Sequence, residues 1–268
     1  MDKRLAPAEV VETFATAVRP VAGVLAFYAG GSLATGDFRP GLSDLDLVAV
    51  VERPLSPAVR RDLLALHESF AAAHADAAKL HCAYVPAPQT ADIGRKHWWW
   101  AHGQLLRRPF SGIGRGELQQ GGIVVHGEPP AAWFPPLSQA DLAEAARVEL
   151  RGYWTGAVRR VAVWRTDLHV DLGLTTVSRA DATIGGAGLI TKREAIVRLP
   201  RLGVPDELAA EIARRRAGET VAHTDASREA RAVLTRRLMR ENLARLLPAG
   251  TRSGDLGPHG RKPGRRPR

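Results

Sequence analysis

Residues 24–51 read VLAFYAGGSLATGDFRPGLSDLDLVAVV, and this stretch decides how the first part of the chain folds. An apolar run ends in Gly31 and Ser32, and twelve residues after Ser32 come Asp44 and Asp46, which lead into a second apolar run. If the second run is a strand, positions i and i+2 place both carboxylates on one face. Adjacent carboxylates suit a Mg²⁺ ion that carries a nucleoside triphosphate. The small residues before them let backbone N–H groups approach phosphate oxygens.

The overall composition is that of a globular protein. The chain has 268 residues, of which 45% are hydrophobic and 25% charged, and this length accommodates two domains. Cys82 is the single cysteine, so no internal disulfide can form, which favours a reducing cytoplasm. No apolar run approaches the roughly 20 residues that span a bilayer, and the N-terminus lacks the apolar core of a signal peptide. The sequence therefore predicts a cytoplasmic protein without membrane contact.

The positive charge is concentrated at the C-terminus. The net charge is +10, and residues 251–268 contain six Lys or Arg and one Asp, which is half of the excess. A segment rich in Gly, Pro and Arg has little to bury, so residues 249–268 are predicted to be a disordered basic tail. Two interpretations of the tail remain open: a solvated segment, or a contact with nucleic acid.

The hydrophobic patterns divide the chain into two parts. Strands are predicted at 23–29, 45–52 and 80–86, and helices at 7–19 and from Ser56-Pro57 onward; this alternation indicates a small α/β sheet with 45–52 at its centre. Residues 87–137 are less regular. After Ser138, helical spacing recurs in 139–165, 169–184, 192–199, 206–216 and 226–247. We therefore predict an α/β domain over residues 1–137 and an all-α domain over residues 138–248.

The first motif resembles a known superfamily. Gly31-Ser32 followed by Asp44-Leu45-Asp46 is similar to the signature of nucleotidyltransferases of the DNA polymerase β type. The resemblance implies a nucleotidyltransferase-like domain with a small mixed sheet. It also implies that Asp44 and Asp46 hold Mg²⁺, that Gly31 and Ser32 contact the triphosphate, and that Ser43 supports the metal or the phosphates.

A second pattern resembles the streptomycin/spectinomycin adenylyltransferases. Residues 174–179 end in Ser-Arg, a Gly-containing turn follows, and Lys192 comes directly after Thr191. The resemblance implies a helical-bundle domain in which Arg179 and Lys192 hold the phosphates of ATP. Other interpretations stay open: Thr191 and Glu194 form a capping-box pattern with Lys192 as the first helical residue, and Arg179 forms a structural salt bridge.

The position of the catalytic carboxylate departs from the family pattern, as does that of the acidic acceptor residue, where His169 stands. The family has a catalytic Glu on the neighbouring strand, and the matching position here is His81. Three interpretations remain open for His81: a general base, since its unperturbed pKa of about 6.5 is suitable; a structural histidine beside the aspartates; or a sign of lost catalysis. Glu117 and Glu52 are other carboxylates that the fold could bring to the site.

The acceptor site has the weakest sequence signal. The family places acceptor contacts near the start of the helix that carries Arg179, which here points to Trp164, Asp167, His169 and Asp171. Trp98–Trp100 could also line a cleft, although three consecutive tryptophans cannot all face one way.

Together these features predict an ATP- and Mg²⁺-dependent transfer of AMP to a hydroxyl group of a small molecule, with an aminoglycoside-type antibiotic as one candidate acceptor. Two alternatives remain: a catalytically impaired member that binds a nucleotide or an antibiotic, and an enzyme that modifies nucleic acid. The oligomeric state is not predicted. P-loop, Rossmann and zinc motifs are absent from the sequence.

Overall fold

The computed structural model describes residues 6–247, and the predicted basic tail lies outside this range. The described chain forms six strands: β1 (Val24–Ala29), β2 (Leu45–Val51), β3 (Leu80–Pro86), β4 (Lys96–Ala101), β5 (Gln104–Pro109) and β6 (Ile123–His126). Its helices are α1 (Pro7–Ala22), α2 (Gly31–Ala34), α3 (Pro57–Ala73), α4 (Gly112–Gly121), α5 (Gln139–Glu149), α6 (Thr155–Ala157), α7 (Asp167–Ile184), α8 (Lys192–Arg198), α9 (Asp206–Arg216) and α10 (Asp225–Leu246).

The strands form one mixed sheet in the order β5-β4-β3-β2-β1-β6. Strands β2 and β3 pair in parallel, and the other neighbours pair antiparallel. The nearly continuous apolar run of β2 has the pattern of a strand buried on both faces, and the structure places β2 between β1 and β3 as the sequence predicted. The predicted small mixed sheet is confirmed.

The two faces of the sheet have separate cores. On one face, α1 and α3 pack over a cluster that includes Phe14, Phe27 and Leu47. On the other face, a smaller cluster contains Val48 of β2 and Leu118 of α4. Side chains alternate along a strand, so Asp46, two residues before Val48, lies on the α4 face.

Helices α5 to α10 build a third core. It includes Trp164, Leu174 and Met239, all of which are buried. The predicted all-α second part is therefore confirmed as a fold class. The predicted domain boundary between residues 137 and 138 falls in the segment that joins β6 to α5 and stays a prediction.

Local signals explain several element ends. The side chain of Ser56 accepts a hydrogen bond from the Val59 amide and so caps α3, as its sequence position indicated.

The structure differs from the sequence interpretation in two segments. Residues 87–137 contain β4, β5, α4 and β6 rather than an irregular region. Residues 139–165 are not one helix, because α5 is followed by a π-helical segment at Leu150–Trp154 and the chain is extended at Arg160. Within residues 6–247 no helix combines the length and apolar character that a membrane crossing requires.

Candidate active site

A close backbone approach explains the glycine pair at the end of β1. The Gly30 amide donates a hydrogen bond to the Asp46 carbonyl, with an N–O distance of 2.8 Å. Gly31 has φ +57°, and a Cβ atom on it would lie 2.3 Å from the Asp46 Oδ2 atom. Only glycine allows both this backbone conformation and this contact. The turn therefore places Ser32 next to Asp46.

Both motif aspartates line one cleft of about 320 Å³, which we call the Asp44–Asp46 cleft. Asp44 directly precedes β2, and Asp46 is its second residue. The cleft is lined by the loop and sheet residues Gly31, Ser32, Asp37, Ser43, Asp44 and Asp46 and, opposite them, by Glu117, Arg179, Lys192 and Arg216. The structure thus brings together the predicted metal ligands and all five predicted nucleotide contacts. Their roles remain predictions.

The two carboxylates of the cleft fit a metal ion that binds together with a triphosphate. Within residues 6–247, no group of three or more His, Cys, Asp and Glu side chains is arranged to hold a metal. Mg²⁺ on a triphosphate is held by one or two carboxylates together with phosphate oxygens and water, rather than by an all-protein cage. Asp44 and Asp46 would supply those two carboxylates.

Lys192 faces these carboxylates from the N-terminal turn of α8. Thr191 and Glu194 form the predicted capping box, with the Glu194 amide 3.1 Å from Thr191 Oγ1 and the Thr191 amide 2.8 Å from Glu194 Oε2. Desolvation by the surrounding protein lowers the pKa of Lys192, and Arg216 and Arg179 lower it further, whereas Asp44 and Asp46 act in the opposite direction. A cap at Thr191 and a cleft position for Lys192 are therefore compatible.

Arg179 forms the structural salt bridge that was one of its two interpretations, and it also lies where the predicted phosphate contact would require it. Its Nη2 atom forms an ion pair with Glu117 of α4, and its Nε atom donates to the Ile190 carbonyl at 2.8 Å. The same side chain lines the Asp44–Asp46 cleft. Glu117 thereby holds the guanidinium at the edge of the cleft.

His81 lies directly opposite Asp46 in the parallel register of β2 and β3. Its Nδ1 atom is 3.7 Å from Asp46 Oδ1, and its ring packs edge-to-face on His102. His81 is not one of the described residues that line the Asp44–Asp46 cleft. Of the two alternative carboxylates, Glu117 lines the cleft, whereas Glu52 follows the far end of β2 and pairs with Arg53.

The sequence missed a buried ion pair that closes one side of the cleft. Asp37 is only 4% exposed. Its Oδ2 atom accepts a hydrogen bond from Arg216 Nη2 at 2.7 Å and another from the Arg193 amide at 3.3 Å. The pair joins the loop after α2 to helices α8 and α9. No local pattern could reveal it, because the two ion-paired residues are 179 positions apart.

A second cavity of about 360 Å³, here named the Trp99 cavity, adjoins the cleft and shares Asp46, Glu117 and Arg179 with it. Trp99 and Glu149 add an aromatic face and a further carboxylate. Glu149 reaches solvent inside the cavity, but the enclosing walls desolvate it and raise its pKa; Arg179 opposes this shift and Glu117 adds to it. The cavity thus presents carboxylates beside an indole ring.

The three consecutive tryptophans separate as the strand alternation requires. Trp99 faces the Trp99 cavity, whereas Trp100 is buried in the core under α1 and α3. Trp98 packs partly against that same core. One of the three therefore lines the site.

The four predicted acceptor residues lie elsewhere. Trp164 is fully buried and donates from Nε1 to the Ala157 carbonyl. Asp167 and Asp171 form ion pairs with Arg231 and Arg215, and His169 contacts Thr166 and Tyr153. None of the four lines either cavity. At 1.5 Å per helical residue, Asp167 begins α7 roughly 18 Å from Arg179, which explains the separation. Their role in acceptor binding stays a prediction.

Comparison with known proteins agrees with the geometry of the first part of the chain. Residues 11–85, which contain the Gly-Gly-Ser turn and both aspartates, match the family model of the nucleotidyltransferase domain. Among curated proteins, no sequence matches the chain.

A solved structure extends the likeness to both parts of the chain. The spectinomycin adenyltransferase AAD(9) from Enterococcus faecialis, solved with ATP and spectinomycin, superposes with a TM-score of 0.65 at 14% identity, over 87% of this chain and 98% of that one. At this identity the match establishes a common fold. As the sequence resemblance predicted, residues 11–85 match a nucleotidyltransferase domain, and the fold of the chain is similar to that of a spectinomycin adenyltransferase.

Proposed function

We propose that this chain is a Mg²⁺-dependent nucleotidyltransferase that transfers AMP from ATP to a hydroxyl group of a small molecule. The observation that carries the proposal is the Asp44–Asp46 cleft itself. Two carboxylates and the Gly-Ser turn on one wall face Lys192 and Arg179 on the other. Oxygen ligands on one side can bind the metal ion, and the cationic side chains on the other can bind the phosphates of a metal-bound triphosphate.

The residues of the cleft then have distinct tasks. Asp44 and Asp46 would hold Mg²⁺, which when bound neutralises charge on the phosphates. Ser32 and the neighbouring amides, with Ser43, would orient the terminal phosphates. Lys192 and Arg179 would stabilise the charge that develops on the leaving pyrophosphate. The acceptor oxygen attacks the α-phosphorus, the bond to the β-phosphate oxygen breaks, and the hydroxyl proton passes to a base.

Two residues are candidates for that base. His81 contacts Asp46 and not the cleft, which favours a role in positioning the carboxylate. Glu117 lines both cavities, at the place where an α-phosphate and an acceptor would meet, although Arg179 pairs with it. If His81 is the base, His81→Gln abolishes pyrophosphate release and leaves Mg²⁺-dependent ATP binding intact; if it only positions Asp46, the substitution weakens both. If Glu117 is the base instead, Glu117→Gln abolishes pyrophosphate release and His81→Gln does not.

The Trp99 cavity is the place that we propose for the acceptor. Carboxylates from Glu149 and Glu117 favour a cationic molecule, and the indole of Trp99 offers a face to a sugar ring or an ammonium group. The spectinomycin complex of the fold relative supports testing aminocyclitol and aminoglycoside antibiotics first. Such an enzyme would confer antibiotic resistance and would act in the cytoplasm, where ATP is available.

The decisive experiment measures Mg²⁺-dependent ATP binding by calorimetry and pyrophosphate release with a panel of aminoglycosides and polyols. Asp44→Asn and Asp46→Asn should abolish both signals. Asp62→Asn, which removes an exposed carboxylate paired with Arg61, is the matched control. ATP binding that is independent of Mg²⁺ and unchanged in Asp44→Asn would refute the proposal.

One observation favours a second candidate, a non-catalytic nucleotide-binding protein. The position opposite Asp46 on β3 holds His81 and no carboxylate. Such a protein would bind Mg²⁺ and ATP in the same cleft but would release no pyrophosphate with any acceptor. A nucleic-acid-modifying function would depend on the basic tail, so removal of residues 251–268 should then weaken salt-dependent RNA binding.

A further inference from the structure

A third cavity, of about 310 Å³, lies at the opposite end of the parallel strands from Asp46. It opens where β3 ends at Pro86 and β4 begins at Lys96. Asp46 pairs with His81 at the start of β3, and five residues of strand correspond to roughly 16 Å. We call it the Trp98 cavity. It shares no lining residue with the Asp44–Asp46 cleft or the Trp99 cavity.

The lining of the Trp98 cavity is strongly cationic. Arg60, Arg95, Lys96 and Arg107 all contribute to it, and no Asp or Glu side chain does. Within residues 6–247 none of these four cations forms an ion pair. The nearby Asp92 carboxylate accepts two backbone amides, those of Gly94 and Arg95. Like charges this close repel each other, so a bound anion would relieve the repulsion.

Two polar groups in the wall have no partner of their own. His97 is only 2% exposed, and neither of its ring nitrogens has a hydrogen-bond partner among the described residues. The buried Nε atom of Arg60 is likewise unpaired in this part of the chain. Buried polar atoms without partners cost free energy unless a ligand or ordered water satisfies them. Arg60 lines the Trp98 cavity beside Trp98, whereas strand alternation turns the His97 ring to the face of Trp99, so the Arg60 guanidinium is the group that an anion in the cavity would contact.

The field at His97 has the sign that an anion requires. The pKa of His97 is lowered to about 4, first by desolvation and then by the charges of Arg115, Arg107 and Arg95, whereas Asp92 opposes them. An anion in the cavity would offset the arginine charges and raise this pKa.

Trp98 holds two of the four cations in place, Arg60 and Arg107. The Arg60 guanidinium lies 4.5 Å from the centre of its indole ring and that of Arg107 lies 5.2 Å from it. Arg107 Nη2 donates to the Lys96 carbonyl, whereas the stacked Arg60 guanidinium keeps its planar set of donors for the oxygens of a phosphate group. We propose that the Trp98 cavity is a binding site for a small phosphate-bearing anion, separate from the nucleotide cleft.

The test uses the full chain and phosphorus NMR or calorimetric titrations with inorganic phosphate, pyrophosphate and AMP. Arg60→Gln should weaken phosphate binding about tenfold, the typical loss of one charge-assisted hydrogen bond. Arg61→Gln is the matched control, since Arg61 is the next residue on α3, is exposed and pairs with Asp62. Tighter binding of AMP than of phosphate would identify a nucleotide as the source of the phosphate group, and equal binding would identify phosphate itself.

Two further measurements separate this site from the active-site cleft and from a folding defect. Lys192→Gln should leave the Arg60-dependent binding intact, and Arg95→Gln, at an exposed position of the rim, should weaken it without unfolding the protein. In histidine NMR spectra, phosphate should raise the pKa of His97 from about 4. Equal phosphate affinities of Arg60→Gln and Arg61→Gln, or loss of binding only in Lys192→Gln, would overturn the proposal.

Discussion

Replacement of Gly31 by alanine tests whether the glycine turn positions the Asp46 carboxylate. The new Cβ would lie 2.3 Å from Asp46 Oδ2, 3.1 Å from its Cγ and 3.2 Å from its Cβ, whereas ordinary contacts begin at 3.4 Å. The carboxylate must therefore move by about 1 Å or more, and a misplacement of that size in an active site costs about 100-fold in rate. Gly31→Ala should lower kcat for pyrophosphate release about 100-fold, equivalent to about 2.7 kcal/mol.

The same substitution also has a conformational cost that must be measured separately. Gly31 has φ +57°, where a side chain costs about 1–2 kcal/mol of stability. Gly36 is the matched control, because it has φ +68° in the same connection and a Cβ on it would meet nothing within 4 Å. Both variants should lower Tm by similar amounts, roughly 2–8 °C for a chain of this size.

The two variants should differ only in function. Calorimetry with Mg²⁺ and ATP, together with pyrophosphate release, should show a large loss for Gly31→Ala and near wild-type behaviour for Gly36→Ala. Equal activities of the two variants at matched stability would refute the argument, because Asp46 would then tolerate displacement or would play no part in the reaction.

Three further perturbations test the packing and electrostatics. His67 is buried, and desolvation lowers its pKa to about 3. Between pH 6.5 and 5 the unfolded state therefore gains a proton at this group and the folded state does not. The free energy of unfolding should fall by about 2 kcal/mol over that range. Asp37→Asn leaves the Arg216 guanidinium facing a neutral group and should destabilise the fold by about 3 kcal/mol in urea unfolding. Gly173→Ala places a Cβ 2.8 Å from Trp164 and should cost about 1–3 kcal/mol, although alanine is the better helix former.

Each of these has a control or a contradicting outcome. His67→Gln should flatten the pH dependence of stability, and an unchanged slope would show that another group titrates. Asp62→Asn, at an exposed pair, should change stability by less than about 1 kcal/mol. Gly156→Ala, where a Cβ would meet nothing within 4 Å, should be neutral or stabilising; a gain of stability in Gly173→Ala would show that the helical core adjusts around Trp164.

The sequence was sufficient wherever a short segment contained its own physical cause. The apolar runs around the motif predicted β1 and β2, and the spacing of Ser32, Asp44 and Asp46 placed three polar groups at one end of the sheet. The caps at Ser56 and Thr191 were readable because a cap joins residues three positions apart.

Between positions 87 and 137 the local sequence pattern was insufficient to predict the strands. Strand β4 has tryptophans on both faces and the edge strand β5 has arginines on both faces, so neither shows the alternation that identifies a half-buried strand. The pairing of β4 with β3 is a tertiary contact, and β5 joins the sheet only through β4. For the same reason the sequence could not say which of three tryptophans faces the site.

By itself, the sequence of residues 24–51 determined the turn, the strand and the two carboxylates, because backbone geometry and side-chain alternation act over a few residues. Only the tertiary structure decided what faces those carboxylates. Lys192, Arg179 and Arg216 reach the cleft because α5 packs against α4 and α7, and α7 packs against α8. The Asp37–Arg216 and Glu117–Arg179 pairs hold them there. Such contacts join residues distant in the chain, and hydrophobic burial, not local pattern, selects them.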